Sequence, residues 1–310
     1  MISVWALPLL IVMQTRSTGV SPRPVAWAAQ SPRPALCQGA PGLWEVSRQA
    51  VLARRCRELG RAQALLLRVP EKARERAAAL LADSPELGEA RVLRGRASLR
   101  VGDTAAALAD LLPLLADDAG TVADPSALLD GGRAALAQKD LESAARFYRL
   151  LGSRAALLPD RSQQVVAYIE IAGALLATGK APIDDVLAYL REARRRSAGS
   201  GFTGLCAALT ALTWIAEGRE AEGQGALSEL SDPEALLRFE TRKDVWLADG
   251  LLHAVLGLAF ERERPDLSAT HYQALAQSPL SATAIGKIAS RSRQRAPSSK
   301  TPKAPKRGGR

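Results

Sequence analysis

One internal offset constrains this chain more than any other feature. The pattern Gly95-x7-Asp103-x3-Ala107-x3-Leu111 returns as Gly132-x7-Asp140-x3-Ala144-x3-Tyr148, displaced by 37 residues at all four positions. Self-similarity at such a period marks an array of supersecondary units that bury their apolar faces against one another. Each unit reads as helix, tight turn, helix. The first helix is expected from Gly88 to Val101, the turn at Gly102-Asp103, and the second helix as far as Ala116. Gly95 and Gly132, with Ala107 and Ala144, are expected where two helices cross, because a larger side chain there would spread the axes beyond about 8–10 Å.

Composition agrees with a helical array. The chain is 47% hydrophobic and 24% charged, as in a packed soluble protein. It is rich in the helix formers Ala, Leu, Arg and Glu, and only 4% aromatic, which points to an all-α fold. Weaker copies of the unit flank the two good ones. They are Leu43 to Arg68 with Glu71 to Pro85; Val165 to Thr178 with Ile183 to Arg196; Phe202 to Glu217 with Arg219 to Leu230; and Val245 to Glu261 with Pro265 to Gln277. That makes about six antiparallel helix pairs over 43–278, closed by a cap helix near 280–290.

These units resemble the tetratricopeptide repeat: a small residue in mid helix A, Gly-Asp at the turn, Ala in helix B, a large apolar residue four positions on, and Pro near the end. The resemblance implies a TPR-like α-solenoid over 43–290 that binds a protein or peptide in a concave groove lined by the A helices, without catalysis. Transferred onto the two best units, the family's groove positions are Val92, Arg96, Leu99 and Arg100, then Leu129, Arg133 and Leu136. Arg96 and Arg133 are equivalent, and stacked arginines suit an acidic or carboxylate-terminated ligand; as solvated surface charges they would have no such role. The chaperone-binding clamp of the family uses Asn side chains, and this chain has no Asn. N-glycosylation is excluded for the same reason.

Residues Ile2 to Met13 form an apolar run of twelve, too short to span a bilayer and suited to a signal-peptide core. Ala26-Trp27-Ala28 supplies an A-x-A cleavage site, so 1–28 reads as a signal peptide or leader and 29–42 as an extended Pro/Gly-rich arm. The expectation is an exported bacterial protein, periplasmic or secreted. The missing basic n-region leaves a cytoplasmic chain with a leader as the alternative. In an oxidising compartment Cys37 and Cys56 could close a loop worth about 3 kcal/mol. Otherwise Cys56 is a small buried hydrophobe and Cys37 a free thiol. Cys206 is expected in the core.

The formal net charge of +10 is unevenly placed. Nine positive charges follow Ser281 and three precede Cys37, with no acid in either segment, which leaves 37–280 at −2. Polyanion affinity is therefore assigned to a disordered tail over 291–310, through Arg291, Arg293, Arg295, Lys300, Lys303, Lys306, Arg307 and Arg310. If the protein is cytoplasmic, that tail suits an adaptor or regulator that binds nucleic acid or another polyanion. Catalysis is not expected. Gly199-Ser-Gly-Phe-Thr-Gly204 matches G-x-G-x-x-G but follows a basic helix end instead of a strand. With two histidines and three cysteines, no zinc-ligand spacing occurs, and His253 and His271 are read as structural or exposed. No metal, cofactor or small-molecule substrate is expected.

Overall fold

A computed structural model describes residues 50–116, 124–198, 201–241 and 244–295. The described residues form fourteen α-helices and four short 3-10 turns, with no strand. In chain order the helices are α1 (Ala50–Leu65), α2 (Pro70–Asp83), α3 (Gly88–Arg100), α4 (Thr104–Leu111), α5 (Pro125–Ala137), α6 (Leu141–Gly152), α7 (Arg161–Thr178), α8 (Ile183–Arg196), α9 (Thr203–Ala216), α10 (Glu220–Ser228), α11 (Arg238–Thr241), α12 (Leu251–Phe260), α13 (Pro265–Gln277) and α14 (Ala284–Arg295). None is long and apolar enough to cross a membrane. The leader (1–28), the arm (29–42) and the residues from 296 onward lie outside the described set.

Local chemistry sets the boundaries. Asp103 and Asp140 cap α4 and α6 by accepting from the backbone N–H of Ala106 and Ser143 at 3.1 and 3.0 Å, which satisfies donors that the first helical turn leaves free. Asp124 and Asp160 do the same for α5 and α7. The turns before α4 and α6 need a left-handed residue. Gly102 supplies it with φ +86°, and the equivalent Lys139 adopts φ +60° despite its side chain. Pro113 cannot continue a helix, so α4 stops at Leu111 and the chain tightens into a 3-10 turn over Leu112–Leu115.

Packing follows sequence order. From α1 to α10 each helix packs against the next, and contacts one helix further on join α1 with α3, α3 with α5 and α7 with α9; α12 packs on α13 and on α9, with α14 against both α12 and α13. The crossings rest on missing side chains, as the repeat implied. A Cβ on Gly95 would lie 2.9 Å from Leu111, one on Gly132 2.6 Å from the Tyr148 ring, and one on Gly257 2.6 Å from the Tyr272 ring. Ala107, Leu111, Ala144 and Tyr148 are fully buried; each large side chain so buried stabilises the fold by about 1.5–3 kcal/mol. Cys206 is also fully buried, and burial pushes its thiol up to about 12, so it behaves as a small hydrophobe.

Two boundaries depart from expectation. The helix expected from Val245 begins only at Leu251, because Gly250 takes φ +90° and the residues before it are held by other elements. At the other end, α14 continues to Arg295. The backbone at Arg291, Arg293 and Arg295 is therefore helical, where a disordered tail was expected; the apolar face that carries Ile285, Ile288 and Ala289 is buried and anchors this helix.

Candidate groove and segment 244–250

The positions expected to line a groove sit on α3 and α5, and they are not an open surface. Leu99, Leu129 and Leu136 are buried, and Val92 is half-buried against the main core. The arginines meet carboxylates of their own chain instead of an acidic ligand. Arg96 on α3 donates to Asp130 on α5 at 2.8 Å and to Asp124 at 2.9 Å. Arg100 donates to the same Asp130 oxygen at 3.1 Å. Arg133 on α5 makes a two-pronged pair with Glu170 on α7, at 2.9 and 2.8 Å. Such forks fix orientation as well as charge, so these side chains tie α3 to α5 and α5 to α7.

The two carboxylates differ. Burial works to raise the Asp130 pKa, but the attraction of Arg96, then Arg100, outweighs it and holds the group below the usual carboxylate range. Glu170 has no exposed side-chain surface, and burial pushes its carboxyl above the usual range against the opposing pull of Arg133. It also accepts from the Tyr148 hydroxyl at 3.0 Å and from the Trp246 backbone N–H at 3.0 Å. Its four contacts satisfy both oxygens, as a buried carboxylate requires.

The Trp246 contact belongs to the segment 244–250 that departs from the helical expectation. The Trp246 side chain packs against the small apolar cluster of Leu99, Ala107 and Ala134. Leu247 occupies the space above Gly173 of α7, where a Cβ would lie 2.9 Å from its Cδ2. Asp249 pairs with Lys139 at 3.3 Å. A non-helical stretch of the chain thus reaches Leu99 on α3, Ala134 on α5 and Glu170 and Gly173 on α7, and Leu99 is the expected groove position that it meets.

Sequence reasoning missed Glu170, although the signal was present. It stands 37 residues after Arg133, as Arg133 stands after Arg96, and it is the one acid in the apolar run Val165 to Ala177. The remaining expectations divide. Cys56 is half-buried and disulfide-bonded, while Cys37 lies outside the described residues. Lys300, Lys303, Lys306, Arg307 and Arg310 also lie outside them. His253 and His271, read from the sequence as structural or exposed, are brought into contact. Burial lowers the His271 pKa, with Glu240 acting in the opposite direction. Compared with protein-family models and with the curated proteins, the sequence matches none of them.

Proposed function

We propose that the chain is a non-enzymatic scaffold built as a tetratricopeptide-like solenoid of six helix pairs, whose concave groove takes a segment of a partner protein or peptide. The observation that carries this reading is the way segment 244–250 is held. It offers a backbone N–H to a buried carboxylate and two apolar side chains, Trp246 and Leu247, to sites between helices. Main-chain bonding combined with side-chain sites is how grooves recognise unstructured peptides. In this reading the segment is an internal ligand, and a partner gains access by displacing it. The apparent affinity for a partner then falls by the fraction of molecules with the groove open.

A labelled peptide with the sequence Asp244 to Gly250 tests the idea by fluorescence anisotropy. It should bind a W246A/L247D double variant, in which the internal segment is released, at least about tenfold more tightly than it binds the wild type. No binding to either protein would overturn the peptide-groove reading.

The leader and the cysteine pair support assignment to the bacterial cell envelope, periplasmic or secreted, with cleavage after Ala28. N-terminal sequencing of the fractionated protein checks this. The segregation of positive charge to the tail favours a second reading, an intracellular adaptor whose tail binds nucleic acid or another polyanion. Recovery of an intact leader in the cytosol, with salt-sensitive heparin retention lost on truncation after Ala289, would select that one.

A further inference from the structure

The chain contains two histidines, and the fold brings them together. His253 on α12 and His271 on α13 approach through their Nδ1 atoms at 3.2 Å. Glu240 on α11 adds a carboxylate oxygen 3.8 Å from the His271 Nδ1. One ligand atom from each residue lies within 4.8 Å of the other two. His271 is buried, His253 half-buried and Glu240 exposed, so the cluster opens to solvent on the Glu240 side.

We propose that Glu240, His253 and His271 form a binding site for a divalent transition cation, Zn2+ in particular. The spacing supports it. Two nitrogens bound to one zinc at about 2.0–2.1 Å in a tetrahedral shell stand about 3.3 Å apart, and the two Nδ1 atoms already have that separation. The carboxylate oxygen needs to close from 3.8 Å to about 3.3 Å on His271, and from within 4.8 Å on His253, to complete the face, which an exposed side chain on a four-residue helix can do. Imidazole and carboxylate together suit zinc and exclude the all-oxygen shells of Mg2+ and Ca2+. Three protein ligands leave a fourth position, on the solvent side, for water. The Nε2 atom of His271 is buried without a hydrogen-bond partner among the described residues, so its ring is fixed by packing and by whatever Nδ1 engages.

The site has a structural consequence. Glu240 and His253 stand on either side of the segment 244–250, so a cation between them closes that loop at its base. This consequence rests on the groove reading above; the metal site itself does not.

Titration of the full-length, disulfide-intact protein with Zn2+ by calorimetry, and with Co2+ followed by its visible absorption, tests the assignment. One equivalent of Zn2+ should bind and raise the melting temperature. Mg2+ should do neither, and bound Co2+ should give d–d bands of a low-coordinate site. H253Q, a substitution at a half-buried position, should abolish the Co2+ bands and the thermal shift while keeping the helical circular dichroism of the wild type. E240Q should weaken Zn2+ binding by about 10- to 100-fold. Three results would overturn the proposal: no saturable Zn2+ binding by the wild type, binding undiminished in H253Q, or Mg2+ giving the same thermal shift. Each would leave the histidine contact as a hydrogen bond between the two rings.

Discussion

Arg96 and Arg133 stand at equivalent positions 37 residues apart, yet the carboxylates they reach live under opposite electrostatics. At the α3–α5 interface, Arg96 and Arg100 converge on Asp130, and charge outweighs burial. At the α5–α7 interface a single arginine meets Glu170 beneath segment 244–250, and burial outweighs charge. The same position in a repeat therefore serves either as a tie with charge to spare or as a sealed acceptor. What separates them is the number of arginines that each buried acid reaches, two for Asp130 and one for Glu170.

The largest effect that tests this contrast is loss of one arginine. Arg133→Ala should cost about 3–5 kcal/mol in urea unfolding, because Glu170 would keep its burial and lose the one cation that pairs with it among the described residues. Arg96→Ala should cost less, since Arg100 stays on Asp130, and Arg100→Ala under about 1 kcal/mol. Equal losses for Arg133→Ala and Arg100→Ala would show that the number of cations is not what distinguishes the two carboxylates.

Gly132→Ala comes next. Its new methyl would meet the Tyr148 ring at 2.6 Å and disturb the hydroxyl that serves Glu170, costing about 1–3 kcal/mol. Gly88→Ala, with open space around it, is the matched control and should leave stability within about 0.5 kcal/mol.

The pH dependence should separate the carboxylates by sign. Asp130 is depressed in the folded state, so its contribution is present above its unfolded pKa and is lost as pH falls through the folded value. Asp130→Asn should therefore flatten the acid limb of a stability profile by up to about 1.4 kcal/mol per pH unit, whatever its absolute stability. Glu170 is raised, so its contribution is fully present below its unfolded pKa and declines as pH rises through the folded one. An acid limb unchanged in Asp130→Asn would contradict the assignment for Asp130.

The smallest effect lies at the turn. Lys139→Gly removes a side chain from a left-handed residue and should stabilise by about 1 kcal/mol; the Asp249 pair that it sacrifices is exposed on both sides and offsets little of that gain.

These contrasts also show where the sequence was legible. The 37-residue offset located the Gly95–Leu111 and Gly132–Tyr148 crossings, because a missing side chain facing a large one is written in residue type. Ile183–Arg196 and Pro265–Gln277 were readable from Pro182, Pro265 and the apolar period. Segment 244–250 was not, since Val245, Trp246 and Leu247 continue the apolar pattern of the helix that follows. Gly250 marks where the helix begins, but the seating of the segment involves a carboxylate 76 positions away, which no local signal encodes. The arginines misled for a related reason. Their partners Asp130 and Glu170 belong to the helix two further on, and an acid inside an apolar helix looks like an exception until its cation is placed. The histidine pair joins α12 to α13, and its carboxylate neighbour Glu240 stands on α11, a helix that the repeat does not contain.

The amide of Trp246 has a further consequence, for the order in which this molecule assembles. Helix pairs that touch only their neighbours close short loops and form early, whereas a bond across 76 positions closes a long one and is delayed. Docking of 244–250 is thus expected to be the final step of folding and the first to reverse. In heavy water the Trp246 amide, shielded only while that segment is seated, should exchange its hydrogen sooner than the interior amides of α7, and its rate would count the openings one molecule at a time.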